Sequence, residues 1–164
     1  MYNRSQFYSF ATYGWHKGFY NDDDYIKSLC NIDYTNFFEK PTDEDFPYDS
    51  ADVLLCGSCD AFSLALHEIF NYNVYIIEGT KKPGFHSFCQ VYRNKTWYYI
   101  DARGITTSFD EFMEIAKRFV SDEYTIRPIT QNDIDEWKQD SYYDDEAFAF
   151  AKAVIEKYKE CYTL

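Results

Sequence analysis

Two runs of aromatic and β-branched residues, Phe85 to Tyr92 and Thr96 to Ala102, stand on either side of Arg93-Asn94-Lys95. So short a spacer joins neighbouring strands only as a tight hairpin, because parallel strands need a crossover of a dozen or more residues. The chain must therefore contain an antiparallel sheet. Val74 to Ile77 reads as a further buried strand. Ahead of it, Phe62, Leu66, Ile69 and Phe70 follow the i, i+4, i+7, i+8 spacing of a helix that buries one stripe, with Asn71 to Asn73 as its stop. After the hairpin, Ser108 with Glu111 forms a capping box for a helix through about Val120, Tyr124 to Ile129 reads as a strand, and Thr130 with Asp133 starts a short helix. From about Tyr143 to Cys161, Phe148, Ala151, Ile155 and Tyr158 share a helical face; acids Asp144, Asp145 and Glu146 come first and Lys157 and Lys159 last, the order that complements the helix dipole. The expected class is α+β, a small antiparallel sheet with helices packed on one side.

The 164 residues suffice for one domain with a real core, and at 46% hydrophobic content they cannot be a disordered acidic tail. Within that domain, residues 1–38 form a lobe rich in Tyr and Phe, 39–52 an acidic loop carrying Pro41 and Pro47, 53–129 the core, and 130–164 the C-terminal helices. With 28 acidic against 16 basic side chains the net charge is −12. That sign disfavours nucleic acid and anionic membrane and favours a neutral or basic protein or peptide as substrate or target. No apolar run approaches the roughly 18 residues of a membrane span, and Met1 to Phe10 lacks the pattern of a signal peptide, so a cytoplasmic protein is expected. Five cysteines, an odd number in a chain that needs no staples, read as reduced thiols.

Cys59 falls in the first turn of the helix, on its apolar stripe. Free amides at a helix start favour a thiolate and can hold an oxyanion, so this cysteine is a candidate nucleophile, with Gly57 and Ser58 shaping the oxyanion end of the site. Asp60 beside it works against ionisation. If the hairpin loop is even-numbered, His86 and Asp101 lie on one face of the sheet, opposite or diagonal, whereas an odd loop or a bulge separates them. In the favourable register a carboxylate orients an imidazole base and stabilises its cation. His67 lies eight residues up the helix, roughly 12 Å from Cys59 at ~1.5 Å per residue, too far to serve as that base. The segment around His16 offers no placement.

The order Gly57-Ser58-Cys59-Asp60-Ala61-Phe62, helix, strand, Gly84-Phe85-His86-Ser87-Phe88, then Trp97-Tyr98-Tyr99-Ile100-Asp101 resembles the papain-like and transglutaminase-like cysteine domains. The resemblance covers about Cys56 to Phe112. It implies a nucleophile-bearing helix packed on a small antiparallel sheet, and acyl transfer or amide hydrolysis through a Cys59, His86 and Asp101 triad, with no cofactor.

The same cysteines support other readings. Cys56-Gly57-Ser58-Cys59 is a CxxC before a helix, as in thiol-disulfide oxidoreductases, in which Cys56 would attack; that fold wants a strand before the motif, where Val53 to Leu55 is short. Cys56, Cys59, His86 and Cys89 together offer four zinc ligands, although residues three apart on a regular strand face opposite ways. A non-catalytic acidic binding or inhibitor protein, either a phage- or bacterium-encoded inhibitor or a degenerate enzyme fold retained for binding, would use the charge and the aromatics instead.

Overall fold

The computed structural model describes residues 53–120, 123–139 and 145–164, so the aromatic lobe, the acidic loop and His16 lie outside the described residues. In chain order the elements are α1 (Val53–Cys56), α2 (Cys59–Phe70), β1 (Asn73–Gly79), β2 (Phe85–Arg93), β3 (Thr96–Asp101), β4 (Gly104–Thr106), α3 (Phe109–Phe119), β5 (Tyr124–Pro128), α4 (Gln131–Trp137) and α5 (Asp145–Lys157), closed by a 3-10 turn at Lys159–Cys161. The strands form one sheet in the order β4-β3-β2-β1-β5, and every neighbouring pair is antiparallel.

Each expected element is present, and the local signals explain why. Asn71 ends α2 in the left-handed conformation at φ 57°, donating its N–H to the His67 carbonyl. The Ser108 side chain accepts from the Glu111 amide at the start of α3, and Thr130 with Asp133 completes a reciprocal capping box at α4. The hairpin is even-numbered: Arg93 pairs with Thr96, leaving Asn94 and Lys95 as a two-residue turn, both with positive φ. Two elements lack a sequence signal, α1 and the three-residue β4. The chain reverses after Asp101, pairs Asp101 with Gly104, and uses Gly104 at φ 111° to do so.

The helices do not share one side of the sheet, contrary to the sequence expectation. α2 and α5 cover one face, with Phe62, Leu66, Phe150 and Val154 meeting Val74, Cys89 and Ile100. α3 covers the other, where Phe112, Met113 and Ala116 meet Ile77 and Phe88. The reason is legible in β2, whose four consecutive residues His86 to Cys89 are all buried. A strand buried at consecutive residues has both faces hidden from water, and one helical layer hides only one. Tyr162 closes the α2 side, its ring edge-on to Phe62 at 5.5 Å and its hydroxyl donating to the Ala102 carbonyl at 2.8 Å. No helix among the described residues is long and apolar enough to cross a membrane.

Candidate active site

His86 lies near the start of β2 and Asp101 at the end of β3. Continuing the β2–β3 register past Cys89 and Ile100 would set Phe88 opposite Asp101, so His86 is diagonal to it on the same face. The two-residue turn produces this parity, since side chains alternate with period two. His86 Nε2 lies 3.3 Å from Asp101 Oδ2, and the two residues are 0% and 2% exposed. The ring packs against Phe112 and Phe119 of α3, at centroid distances of 5.9 and 6.2 Å. Its other nitrogen, Nδ1, is buried and has no hydrogen-bond partner.

Arg103 holds the far side of the carboxylate. Its Nη2 donates to Oδ2 at 2.6 Å, its Nε to Oδ1 at 3.1 Å, and its backbone N–H to Oδ1 at 2.9 Å. Burial by itself would raise the Asp101 carboxyl, but the adjacent guanidinium and the bonds from His86 and Arg103 hold it well below the usual carboxylate range. An ionised carboxylate only accepts, so the proton of the His86–Asp101 bond belongs to Nε2.

Cys59 approaches from the opposite layer, at the first turn of α2. Its sulfur accepts from the Ser87 backbone N–H at 3.4 Å. The sheet explains why that N–H is available. Gly79 donates to the Gly84 carbonyl, so in the β1–β2 ladder the bonded pairs continue at Ile77–His86 and Tyr75–Phe88, and Ser87 points its N–H away from β1. On that side the β3 ladder has already ended, at Cys89 and Ile100. The two strands splay, and the Cys59 sulfur takes the place of the missing acceptor. The nucleophile candidate thus sits in the gap between β2 and β3, one residue along the backbone from His86, with no direct Cys59–His86 hydrogen bond in this arrangement. The Cys59 thiol is pushed up to about 12, first by burial and then by the charge of Asp60, while the amides of Ser87, Asp60 and Cys59 itself pull the other way. In this state it is a thiol.

The remaining sequence candidates fall as follows. Ser58 caps α2 from a buried position without a side-chain cap bond, and Gly57 precedes it in the turn from α1. Cys56 ends α1, and its side chain is outside the described residues. The strand that a redox CxxC wants is replaced here by the helical turn Val53–Cys56, which leads directly into α2. Cys89 lies on the α2 face and gives its thiol to the Ser63 carbonyl at 3.4 Å, while His86 faces α3, so the zinc reading fails on strand parity. Cys59 and Cys89 are in no disulfide. Among the described residues, no group of three or more His, Cys, Asp or Glu side chains is arranged to hold a metal ion. His67 lies near the far end of α2, exposed and bonded through Nδ1 to the Tyr72 carbonyl. The Arg103 clamp has no counterpart among the sequence candidates; its position two residues beyond Asp101 is the signal that the sequence offers for it. Comparisons with protein families, curated proteins and solved structures find no match for this chain.

Proposed function

We propose that the protein is a thiol-dependent acyltransferase or amide hydrolase of the papain-like or transglutaminase-like kind, in which Cys59 attacks, His86 moves the proton and Asp101 orients the ring. The observation that carries this reading is the buried imidazole bonded to Asp101 through Nε2, its Nδ1 unpartnered, beside a helix-start cysteine bonded to the next backbone amide. Since Cys59 rests as a thiol, its proton passes to Nδ1 as the sulfur adds to the carbonyl carbon. The amides at the start of α2, reached through Gly57 and Ser58, receive the oxyanion. Collapse breaks the C–N bond, His86 returns its proton to the leaving amine, and a thioester remains on Cys59. Water then completes hydrolysis, or a second amine completes transfer. A neutral or basic protein or peptide suits the net charge of −12.

The test is acylation by p-nitrophenyl acetate followed by peptide mapping. The acetyl group is expected on Cys59, and His86→Gln is expected to slow its appearance by about 100-fold or more. Acetylation of Cys59→Ala at the wild-type rate refutes the reading.

The 6% exposure of Cys59 and its raised thiol favour a second reading, a binding protein on a degenerate enzyme fold that engages a neutral or basic protein partner. In that case Cys59→Ala leaves biological activity intact, and loss of activity with the fold preserved rules it out.

A further inference from the structure

We propose that Arg103 is the positioning residue of this site: it holds Asp101 so that the carboxylate keeps the His86 proton on Nε2 and leaves Nδ1 as the ring's acceptor. This rests on the triad reading above and adds to it a group that the Cys, His, Asp order does not contain.

A single oxygen, Asp101 Oδ2, serves both partners, at 2.6 Å from Arg103 Nη2 and 3.3 Å from His86 Nε2. The shorter, charge-assisted contact belongs to the arginine. Arg103 is 3% exposed, and its guanidinium is anchored beyond the carboxylate as well: Nη1 donates to the Glu111 carbonyl at 3.1 Å and Nη2 to the Phe112 carbonyl at 3.0 Å. Those carbonyls lie in the first turn of α3, the helix whose Phe112 and Phe119 cover the His86 ring. One fork therefore sets the carboxylate and the ring-covering helix in common register. A lysine carries the charge but not the geometry, since an ammonium cannot reach both carboxylate oxygens and two carbonyls from one plane.

The guanidinium also sets how much charge the imidazole meets. Asp101 faces His86 from β3 and Arg103 faces it through that carboxylate. α3 presents two uncharged rings, and Glu111 turns its carboxylate to Thr106 of β4 at 2.6 Å. Across the β2–β3 gap lie the Cys59 thiol and its neighbour Asp60. With Arg103 in place the Asp101 charge that the ring meets is offset by the guanidinium. Without it, the ring meets an unbalanced buried anion, which favours the imidazolium and removes the acceptor at Nδ1.

The experiment is a 15N NMR titration of the histidines in the full chain, with His86 assigned by His86→Gln. In wild type the neutral ring is expected to carry its proton on Nε2. Arg103→Met is expected to move the His86 midpoint up by about one pH unit or more. Arg103→Lys should move it in the same direction by less, and it decides the question if Arg103→Met fails to fold. A purely structural role would lower the melting temperature of both variants and leave the midpoint where wild type has it. Protonation on Nδ1 in wild type, or a midpoint unchanged or lowered in the folded variants, overturns the proposal. Failure of the triad reading is separate: it leaves Cys59 unacetylated while the His86 titration still responds to Arg103.

Discussion

Gly84 precedes β2 by one residue and His86 by two, and its replacement by alanine tests how tightly α3 must approach the strand that carries the histidine. The residue adopts φ +149°, a region side chains rarely enter. A Cβ built there lies 2.1 Å from the Phe119 carbonyl oxygen, 0.9 Å inside the 3.0 Å limit that real Cβ atoms respect. That obstacle is backbone at the end of α3, so no side-chain rotation relieves it. Backbone strain of about 1–3 kcal/mol and over-packing of about 1–3 kcal/mol together give a loss of roughly 2–6 kcal/mol, a large share of the ~5–15 kcal/mol that holds a domain folded. Urea denaturation measures it directly: at an m-value of about 2 kcal/mol per molar, a 3 kcal/mol loss lowers the midpoint by about 1.5 M. Because Phe119 also stacks on the His86 ring, the same variant should shift the His86 resonances. A loss below about 1 kcal/mol would refute the close approach of α3 to β2.

Two further outcomes follow from the ion cluster and the hairpin. The folded Asp101 carboxyl is held below its unfolded value, so its contribution is present above the unfolded carboxylate range near pH ~4 and is lost as the pH falls through the folded value. Asp101→Asn should therefore cost about 3–5 kcal/mol at pH 7, the cost of leaving a buried partner uncompensated, with the gap to wild type narrowing below about pH 4. Urea titrations at pH 7 and pH 3 that show the same gap would contradict this. Lys95 occupies a left-handed turn position at φ 61°, so Lys95→Gly should stabilise by about 0.5–1 kcal/mol, read as a rise in melting temperature of about 1–4 °C. An unchanged or lowered melting temperature would count against the turn geometry.

Much of the fold was legible because its signals are local. The stripe Phe62, Leu66, Ile69 and Phe70 found α2, and the caps Ser108 and Thr130 found the starts of α3 and α4. β4 was missed because three residues carry no period, and α1 because Val53 to Cys56 is one turn of apolar residues that suits strand and helix equally. The two-sided cover of the sheet was misjudged because His86 to Cys89, all buried in the structure, include two polar residues and so do not form the apolar run that marks a strand covered on both faces.

By itself the sequence determined that Cys59 opens a helix and that His86 and Asp101 share a face only if the turn between their strands is even-numbered; the pairing of Arg93 with Thr96 across a two-residue turn decided that parity. Tertiary structure alone decided what surrounds them. The splay of β3 from β2 hands the Ser87 amide to the Cys59 sulfur, the reversal after Asp101 brings Arg103 onto its carboxylate, and burial raises the thiol. Those outcomes depend on which backbone groups lose their ladder partners and which charges lose their water, quantities set by chain segments distant in sequence that meet only in the folded core.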